Sequence, residues 1–111
     1  ATNYTGTVTF LNETTNPVGN ITEEILAEGV DHQLFFQAPN AVGVFGYADQ
    51  DVNGKPIGLK FTLTTGAATT GNLTVTLRHE PNKSDAGVAT GDITNAGGAT
   101  DAFVTYPIVV Q

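Results

Sequence analysis

The stretch from Gly58 to Pro81 constrains the fold of this chain more than any other. Apolar and polar residues alternate in two runs, at residues 59–64 and 73–79, and a segment rich in Gly and Thr connects them. Alternation with a period of two is typical of strands that bury one face, so we expect two β-strands and a turn. His79 takes the position where the second run would place another apolar residue. Any chemistry of the protein is expected to begin there.

Five further segments show strand patterns, and these are residues 4–12, 21–28, 31–37, 41–48 and 102–110. Short strands separated by turn residues at this spacing are typical of β-sandwiches. We therefore predict an all-β fold, a single immunoglobulin-like or fibronectin-like Greek-key β-sandwich of about seven strands over residues 1–111. Pro107 predicts that the last strand lies at a sheet edge or contains a bulge.

The segment at residues 21–28 has two interpretations. Ile21 and Ile25 fit one face of a strand. Asn20 and Glu23 instead fit a capping box at the start of a single helical turn. The pattern favours a strand, and the helix stays as the alternative.

The segment at residues 41–48 is apolar on both of its faces. Phe45 and Tyr47 share one face, and Val42 and Val44 share the other. A strand with this pattern is typical of burial on both sides, so we expect all four side chains to be covered.

Composition limits the classes of function. The chain has 111 residues, a formal net charge of −7 and four basic residues, too few to neutralise the phosphates of a nucleic acid. No apolar run approaches the roughly 20 residues of a membrane-spanning helix, and no cysteine is present for disulfides or thiolate metal sites. A strand pattern begins within three residues of Ala1, which predicts that an upstream signal or lipid-anchor segment has been removed. The acidic, Thr-rich composition is typical of an exported bacterial domain.

The sequence offers no constellation for catalysis. Ser84 is the only serine, and no patterned base accompanies it. Glu23 and Glu24 are adjacent, and on a strand they would point to opposite faces, which a paired-carboxylate mechanism does not allow. We therefore predict that the protein is not an enzyme.

Two histidines are the strongest candidates for a binding site. In a Greek-key sandwich the third and sixth strands are usually antiparallel neighbours, which would bring His32 and His79 together at one rim. Glu28, Asp31 and Glu80 would supply carboxylates nearby. Two imidazoles and a carboxylate are suitable ligands for zinc or copper. The alternative is that the histidines close the rim of the core and form hydrogen bonds to carboxylates.

A polar loop resembles the first half of a calcium-binding loop. Asp49, Asp51 and Asn53 alternate before Gly54, as the oxygen ligands of such a loop do. The twelfth position is Lys60 instead of a bidentate glutamate, which excludes an EF-hand and leaves either a weaker calcium site or an ordinary turn. Four later residues are further candidate oxygen ligands, and these are Asp85, Asp92, Asn95 and Asp101.

Seven short motifs, spread over nearly the whole chain, carry a family resemblance. They lie at residues 4–8, 11–13, 21–24, 32–36, 53–59, 77–83 and 91–98. Two of them contain histidine, namely His32-Gln33-Leu34-Phe35-Phe36 and Leu77-Arg78-His79-Glu80-Pro81-Asn82-Lys83. Together they resemble a family of small exported lipoproteins of Gram-negative bacteria, often labelled "type 1 periplasmic binding fold" proteins. That label implies alternating strands and helices, which this sequence lacks, so the β-sandwich prediction is retained.

The resemblance implies a lipid anchor, a location at the cell envelope and no established activity. Family members carry further strand-like sequence upstream, so this chain would be processed or its sandwich would be short of one strand. Two functions are compatible with these features. One is a non-catalytic extracytoplasmic protein, at the outer membrane, on the cell surface or secreted, that binds a metal ion or small ligand near His32 and His79. The other is a structural subunit of a cell-surface filament that exchanges strands with its neighbours, its partners being other envelope proteins or copies of itself.

Overall fold

Strands dominate the structure, a computed structural model that describes residues 2–12, 19–39 and 41–111. The strands are β1 (Asn3–Thr7), β2 (Leu11–Asn12), β3 (Gly19–Asn20), β4 (His32–Gln37), β5 (Gly43–Tyr47), β6 (Lys60–Thr65), β7 (Thr69–His79) and β8 (Ala99–Val110). One antiparallel sheet has the order β1-β6-β5 and a second has the order β4-β7-β8, while β2 and β3 form a short pair. The all-β prediction is thus confirmed in its main feature, two antiparallel sheets of three strands.

The two sheets contact each other through an apolar core. Leu34 on β4 and Val75 on β7 are buried in this core. Phe36 on β4 reaches across to the other sheet, where its ring centroid lies 5.6 Å from that of Phe45 and 4.6 Å from that of Phe61. Aromatic pairs at such distances contribute packing beyond the area they bury. The arrangement is compatible with a β-sandwich.

The second sheet is also covered on its outer face. Phe35 on β4 is fully buried there, together with Val88 and Ala96 from the long segment between β7 and β8. That segment, which has no strand or helix period in the sequence, contains two 3₁₀ turns, at Val88–Thr90 and Ile93–Asn95. It is therefore a packed cover over the sheet, with a small core of its own.

The segment at residues 21–28 is a helix, and the prediction of a strand there was wrong. The helix α1 covers Ile21–Ala27, with Glu23 and Glu24 in its first turn and Ile25 buried in the core. A spacing of four residues between apolar side chains fits one face of a helix as well as alternate positions of a strand. Two acidic residues near a helix N-terminus stabilise the helix, because they interact favourably with its dipole.

In the described part of the chain no helix is long and apolar enough to cross a membrane.

The expectation of burial on both faces of β5 was also wrong. Val42, just before the strand, is fully buried, but Val44 is 73% exposed. The reason is that Phe45 packs on Phe36 across the core, whereas the neighbouring Val44 points to the outer face of the first sheet. The two strands of the Gly58–Pro81 stretch are present, yet they belong to different sheets, with β6 in the first and β7 in the second.

A hydrogen-bonded tyrosine connects the two sheets. The Tyr47 hydroxyl on β5 donates to the Leu34 carbonyl at 2.6 Å and accepts from Gln33 Nε2 at 3.0 Å. Burial raises the pKa of Tyr47 from 10.0 to about 12, and the nearby Asp49 charge adds to the rise, while the bond from Gln33 opposes it. The folded protein therefore keeps the phenolic proton at a pH where the unfolded chain loses it.

We expect the free energy of unfolding to fall between pH 10 and 12 because of Tyr47. In that range the folded state binds more protons than the unfolded state, so stability decreases as pH rises. Tyr47→Phe should remove this dependence and cost about 1–3 kcal/mol at neutral pH through the lost hydrogen bonds. Urea unfolding at a series of pH values tests it. Tyr106→Phe, at a residue that is 52% exposed, is the control, and an unchanged alkaline profile in Tyr47→Phe would contradict the assignment.

Candidate metal-binding site

Two histidines face each other at the end of the β4–β7 ladder. His32 is the first residue of β4 and pairs directly with His79, the last residue of β7. Their rings are stacked, with centroids 4.9 Å apart and planes 12° from parallel. The prediction that these two strands are antiparallel neighbours, with both imidazoles at one rim, is therefore confirmed.

The carboxylate beside the histidines comes from Asp101 on β8. Its Oδ2 atom lies 3.6 Å from His79 Nδ1 and 3.8 Å from His32 Nε2. One ligand atom from each of the three residues can be chosen so that all lie within 4.8 Å of one another. Three adjacent strands of one sheet thus each contribute one potential ligand to the same rim.

A β-bulge brings Asp101 to this position. Leu77 pairs with Ala102, and the next residue of β7, Arg78, pairs with Thr100, so Asp101 has no partner in the ladder. An extra residue of this kind bends the strand and redirects side chains. In a regular strand Asp101 would point away from the face that Ala102 occupies. The bulge instead allows it to approach the histidines.

His32 is held in an orientation suited to metal binding. Its side chain is 8% exposed, and its Nδ1 lies 3.0 Å from the Glu28 carbonyl oxygen. Because a carbonyl can only accept, Nδ1 must carry a proton, and in the neutral ring Nε2 then keeps its lone pair. A metal-binding histidine usually donates its second nitrogen to a backbone carbonyl in this way. Glu28 therefore contributes through its backbone, and the expectation that its carboxylate would serve has no contact to support it.

His79 is the more exposed member of the pair. Its side chain is 42% exposed, compared with 8% for His32. A ring nitrogen offers its lone pair in the plane of the ring, so two parallel stacked rings do not direct their lone pairs at one point. Metal binding therefore requires one ring to turn, and the exposure of His79 makes it the one that can.

The site opens into a cavity of about 470 Å³. Apolar side chains, among them Phe10, Ile25 and Leu77, form much of its wall. Two acidic residues, Glu24 and Glu28, also line it. Acidic groups near an opening attract cations and repel anions, so the surroundings of the three ligands favour a metal ion over an anionic ligand.

Glu80 lies beside the histidines but outside the three-residue group. Its Oε1 is 3.7 Å from His79 Nε2, on the side of the ring away from Asp101, and its side chain is 74% exposed. Its backbone has φ of 55°, in the left-handed region that residues other than glycine rarely adopt. Its N–H donates to the carbonyl of Asp31, whose own N–H donates to the carbonyl of Glu28. Glu80 could become a further ligand only if His79 turned.

A buried lysine occupies the centre of a second polar cluster. Lys83 Nζ donates to the Gly29 carbonyl at 2.7 Å, the Pro56 carbonyl at 2.9 Å and Asp51 Oδ2 at 2.9 Å. Burial alone would raise the pKa of Asp51. The bonds from Lys83 and from the N–H groups of Lys55 and Asn53 outweigh that effect, and the pKa lies below its ordinary value of 3.8.

In the loop proposed for calcium, Asp51 contacts this lysine, and the carboxylates of Asp49 and Asp51 accept hydrogen bonds from backbone N–H groups. Asp51 Oδ1 accepts from the Asn53 and Lys55 N–H groups, at 2.8 and 3.0 Å. The two oxygens of Asp49 accept from the Gly58 and Lys60 N–H groups, at 2.7 and 3.1 Å. The positive charge that Asp51 contacts is the ammonium group of Lys83. Calcium binding by this loop stays a prediction.

Comparisons with protein-family models, with curated proteins and with solved structures find no match for the chain. Two imidazole nitrogens and one carboxylate are suitable ligands for a divalent transition metal and leave a coordination position open. Among the described residues, this is the group of three titratable side chains whose spacing suits a metal ion.

Sequence reasoning missed the part that Asp101 plays in this group. The alternation of the last strand places Ala102, Val104 and Tyr106 on one face, which assigns Asp101 to the other. Only the register shift overturns that assignment, and no glycine marks the bulge in the sequence. The one available signal was Pro107, which indicated an edge strand or a bulge without giving its position.

Proposed function

We propose that this chain is a non-catalytic, extracytoplasmic protein of the bacterial cell envelope that binds a divalent transition metal through His32, His79 and Asp101. The observation that carries the proposal is the approach of one ligand atom from each residue to within 4.8 Å of the others. The envelope location, at the outer membrane, on the cell surface or secreted, is supported by the family resemblance and the acidic composition. The proposal includes an immunoglobulin-like Greek-key sandwich of about seven strands as the scaffold.

Zinc and Cu²⁺ are the metals that the ligands favour. The chain contains no cysteine and no methionine, which removes the soft sulfur ligands that select Cu(I). Zn²⁺ accepts imidazole and carboxylate in a tetrahedral arrangement, and three protein ligands leave the fourth position to water or to a ligand. Cu²⁺ accepts the same donors in a tetragonal arrangement. The position to which His79 turns sets which of the two arrangements the three ligands can form.

We expect the protein to bind one Zn²⁺ or Cu²⁺ per chain and His32→Ala to weaken binding by more than about 100-fold. The reason is that loss of a partner that only orients a ligand already costs about 10- to 100-fold in affinity. Asp101→Asn should weaken binding as well, because an amide is a poorer metal ligand than a carboxylate. Isothermal titration calorimetry with zinc chloride and copper chloride measures these affinities.

The matched control is Asp85→Asn, which removes an exposed carboxylate in the segment between β7 and β8. This variant should bind metal like the unmodified protein. Equal affinities for the unmodified protein and His32→Ala would contradict the proposed site. A loss in Asp85→Asn as large as that in Asp101→Asn would show that binding depends on the overall negative charge instead.

The second candidate function is a structural subunit of a cell-surface filament, in which neighbouring copies exchange strands. The observation that favours it is β8, a twelve-residue strand at the edge of its sheet. Long edge strands with apolar side chains promote association between chains. This function predicts open-ended ladders of copies, which a closed pair of copies does not give.

A further inference from the structure

The core between the two sheets is only partly covered along β8, where Ala102 and Ile108 pack against it. On β7, Leu73 and Val75 point into the core and are 8% and 6% exposed. Their partners across the ladder on β8 are Tyr106 and Val104, which share that face. These two side chains are nevertheless 52% and 41% exposed. In the described chain no strand lies beyond β8 to cover them.

A groove follows this open edge, between β8 of one sheet and β1 of the other. One part is a cavity of about 600 Å³ whose lining includes Val8, Phe61 and Val104. A second cavity of about 350 Å³, with Tyr4 and Ile108 in its wall, lies further along the same two strands. The groove is thus apolar over much of the length of β8. Apolar grooves of this size beside a free sheet edge are sites where an extended strand can be added.

The charge of the chain indicates what can occupy the groove. The protein carries a formal net charge of −7, yet residues 102–111 contain no Asp, Glu, Lys or Arg. Two copies with this net charge repel each other, and the uncharged edge is where they can approach with the smallest penalty. Natural edge strands usually carry charged residues, bulges or proline that prevent pairing. On β8, Asp101 and the bulge lie near its start and Pro107 lies further along, so residues 102–106 have no such protection.

We propose that β8 pairs antiparallel with β8 of a second copy of this chain. The pairing joins the two second sheets into one continuous sheet across a twofold axis, so each copy gives the other the same surface that it receives. Val104 and Tyr106 of each copy then cover the open end of the core of the other. The unused backbone N–H and C=O groups of both edges gain partners.

The mass of the protein in solution tests this pairing. Sedimentation equilibrium over a range of concentrations, with a chelator present so that metal cannot bridge the copies, should show a monomer–dimer equilibrium. Val104→Lys should shift it to monomer, because an inward-pointing charge at an edge prevents strand pairing. Val44→Lys is the matched control. It makes the same change at a 73%-exposed valine on the edge strand of the other sheet, and it should dimerise like the unmodified protein.

Circular dichroism establishes that Val104→Lys is folded, and Tyr106→Lys replaces it if it is not. As an independent readout, a peptide with the sequence of residues 99–111 should compete with the second copy and convert dimers into protein–peptide complexes. A monomer at every concentration overturns the proposal, as does an unchanged dimer in both lysine variants. Ladders longer than two copies also overturn it and favour the filament instead. Because the chelator removes metal, none of these outcomes depends on the proposed metal site.

Discussion

Lys83→Met is expected to destabilise the folded protein by about 3–5 kcal/mol, the usual cost of removing one partner from a buried ion pair. The side chains of Lys83 and Asp51 are 6% and 1% exposed, and their charged atoms are 2.9 Å apart. Methionine has a similar volume but donates no hydrogen bond. The variant therefore leaves a buried carboxylate without its cation, and the carbonyls of Gly29 and Pro56 without their donor.

Urea unfolding at neutral pH measures this loss. Lys60→Met, which removes an exposed lysine from β6, is the matched control and should change stability by no more than about 0.5 kcal/mol. The difference between the unmodified protein and Lys83→Met should also depend on pH. Because the pKa of Asp51 is depressed in the folded state, its contribution is present above its ordinary pKa of 3.8 and disappears as pH falls through the lower folded value. Equal stabilities of the two lysine variants would contradict the role given to Lys83.

Phe35→Ala is expected to cost about 3–5 kcal/mol, the usual range for removing a phenylalanine from a packed core. Phe35 is fully buried between β4 and the segment that connects β7 to β8, against Val88 and Ala96. The aromatic ring is the largest side chain of this small core. Its removal should therefore loosen the covering segment as well as lower the overall stability.

Two measurements separate these effects. Urea unfolding gives the change in stability, and limited proteolysis reports whether residues 80–98 become accessible before the sheets unfold. The matched control is Phe103→Ala, the same substitution at a phenylalanine that is 72% exposed, and it should have a much smaller effect. A comparable loss in both variants, or a covering segment as resistant to protease in Phe35→Ala as before, would contradict the packing described for it.

The strands of this fold follow from the sequence where one face is buried and the other is polar. Residues 59–64 and 73–79 alternate cleanly because β6 and β7 are the central strands of their sheets and have one face toward the shared core. The sequence does not show which sheet each strand joins, since alternation records burial and carries no information on the partner. In the structure the two strands lie in different sheets.

The predictions that were wrong failed because they depend on contacts with other parts of the chain. The spacing of Ile21 and Ile25 fits both a strand and a helix, and the helix is the form that buries Ile25 in the core. The exposure of Val44 depends on the outer face of the first sheet being uncovered at this position, which the residues of β5 do not encode. The long segment after β7 contains only two 3₁₀ turns, and it packs on Phe35, a contact with another part of the chain that its own sequence pattern does not show.

The sequence predicted the two histidines of the candidate site but not its carboxylate. His79 interrupts an apolar alternation, and the Greek-key expectation placed His32 beside it, which the ladder confirms. The carboxylate was not predictable, because Asp101 reaches the rim through a register shift that alternation alone cannot locate. The proton position on His32 likewise depends on the Glu28 carbonyl, a backbone contact that residue types do not reveal.

Native mass spectrometry of protein purified without a chelator tests the central claim most directly. We predict one Zn²⁺ or Cu²⁺ per chain in the unmodified protein, and no bound metal in a folded His32→Ala/His79→Ala variant. The metal-to-chain ratio should be the same for monomers and dimers, because the three ligands belong to one chain. A metal-free unmodified protein that also fails to take up added zinc and copper, or a double variant that retains its metal, would contradict the claim.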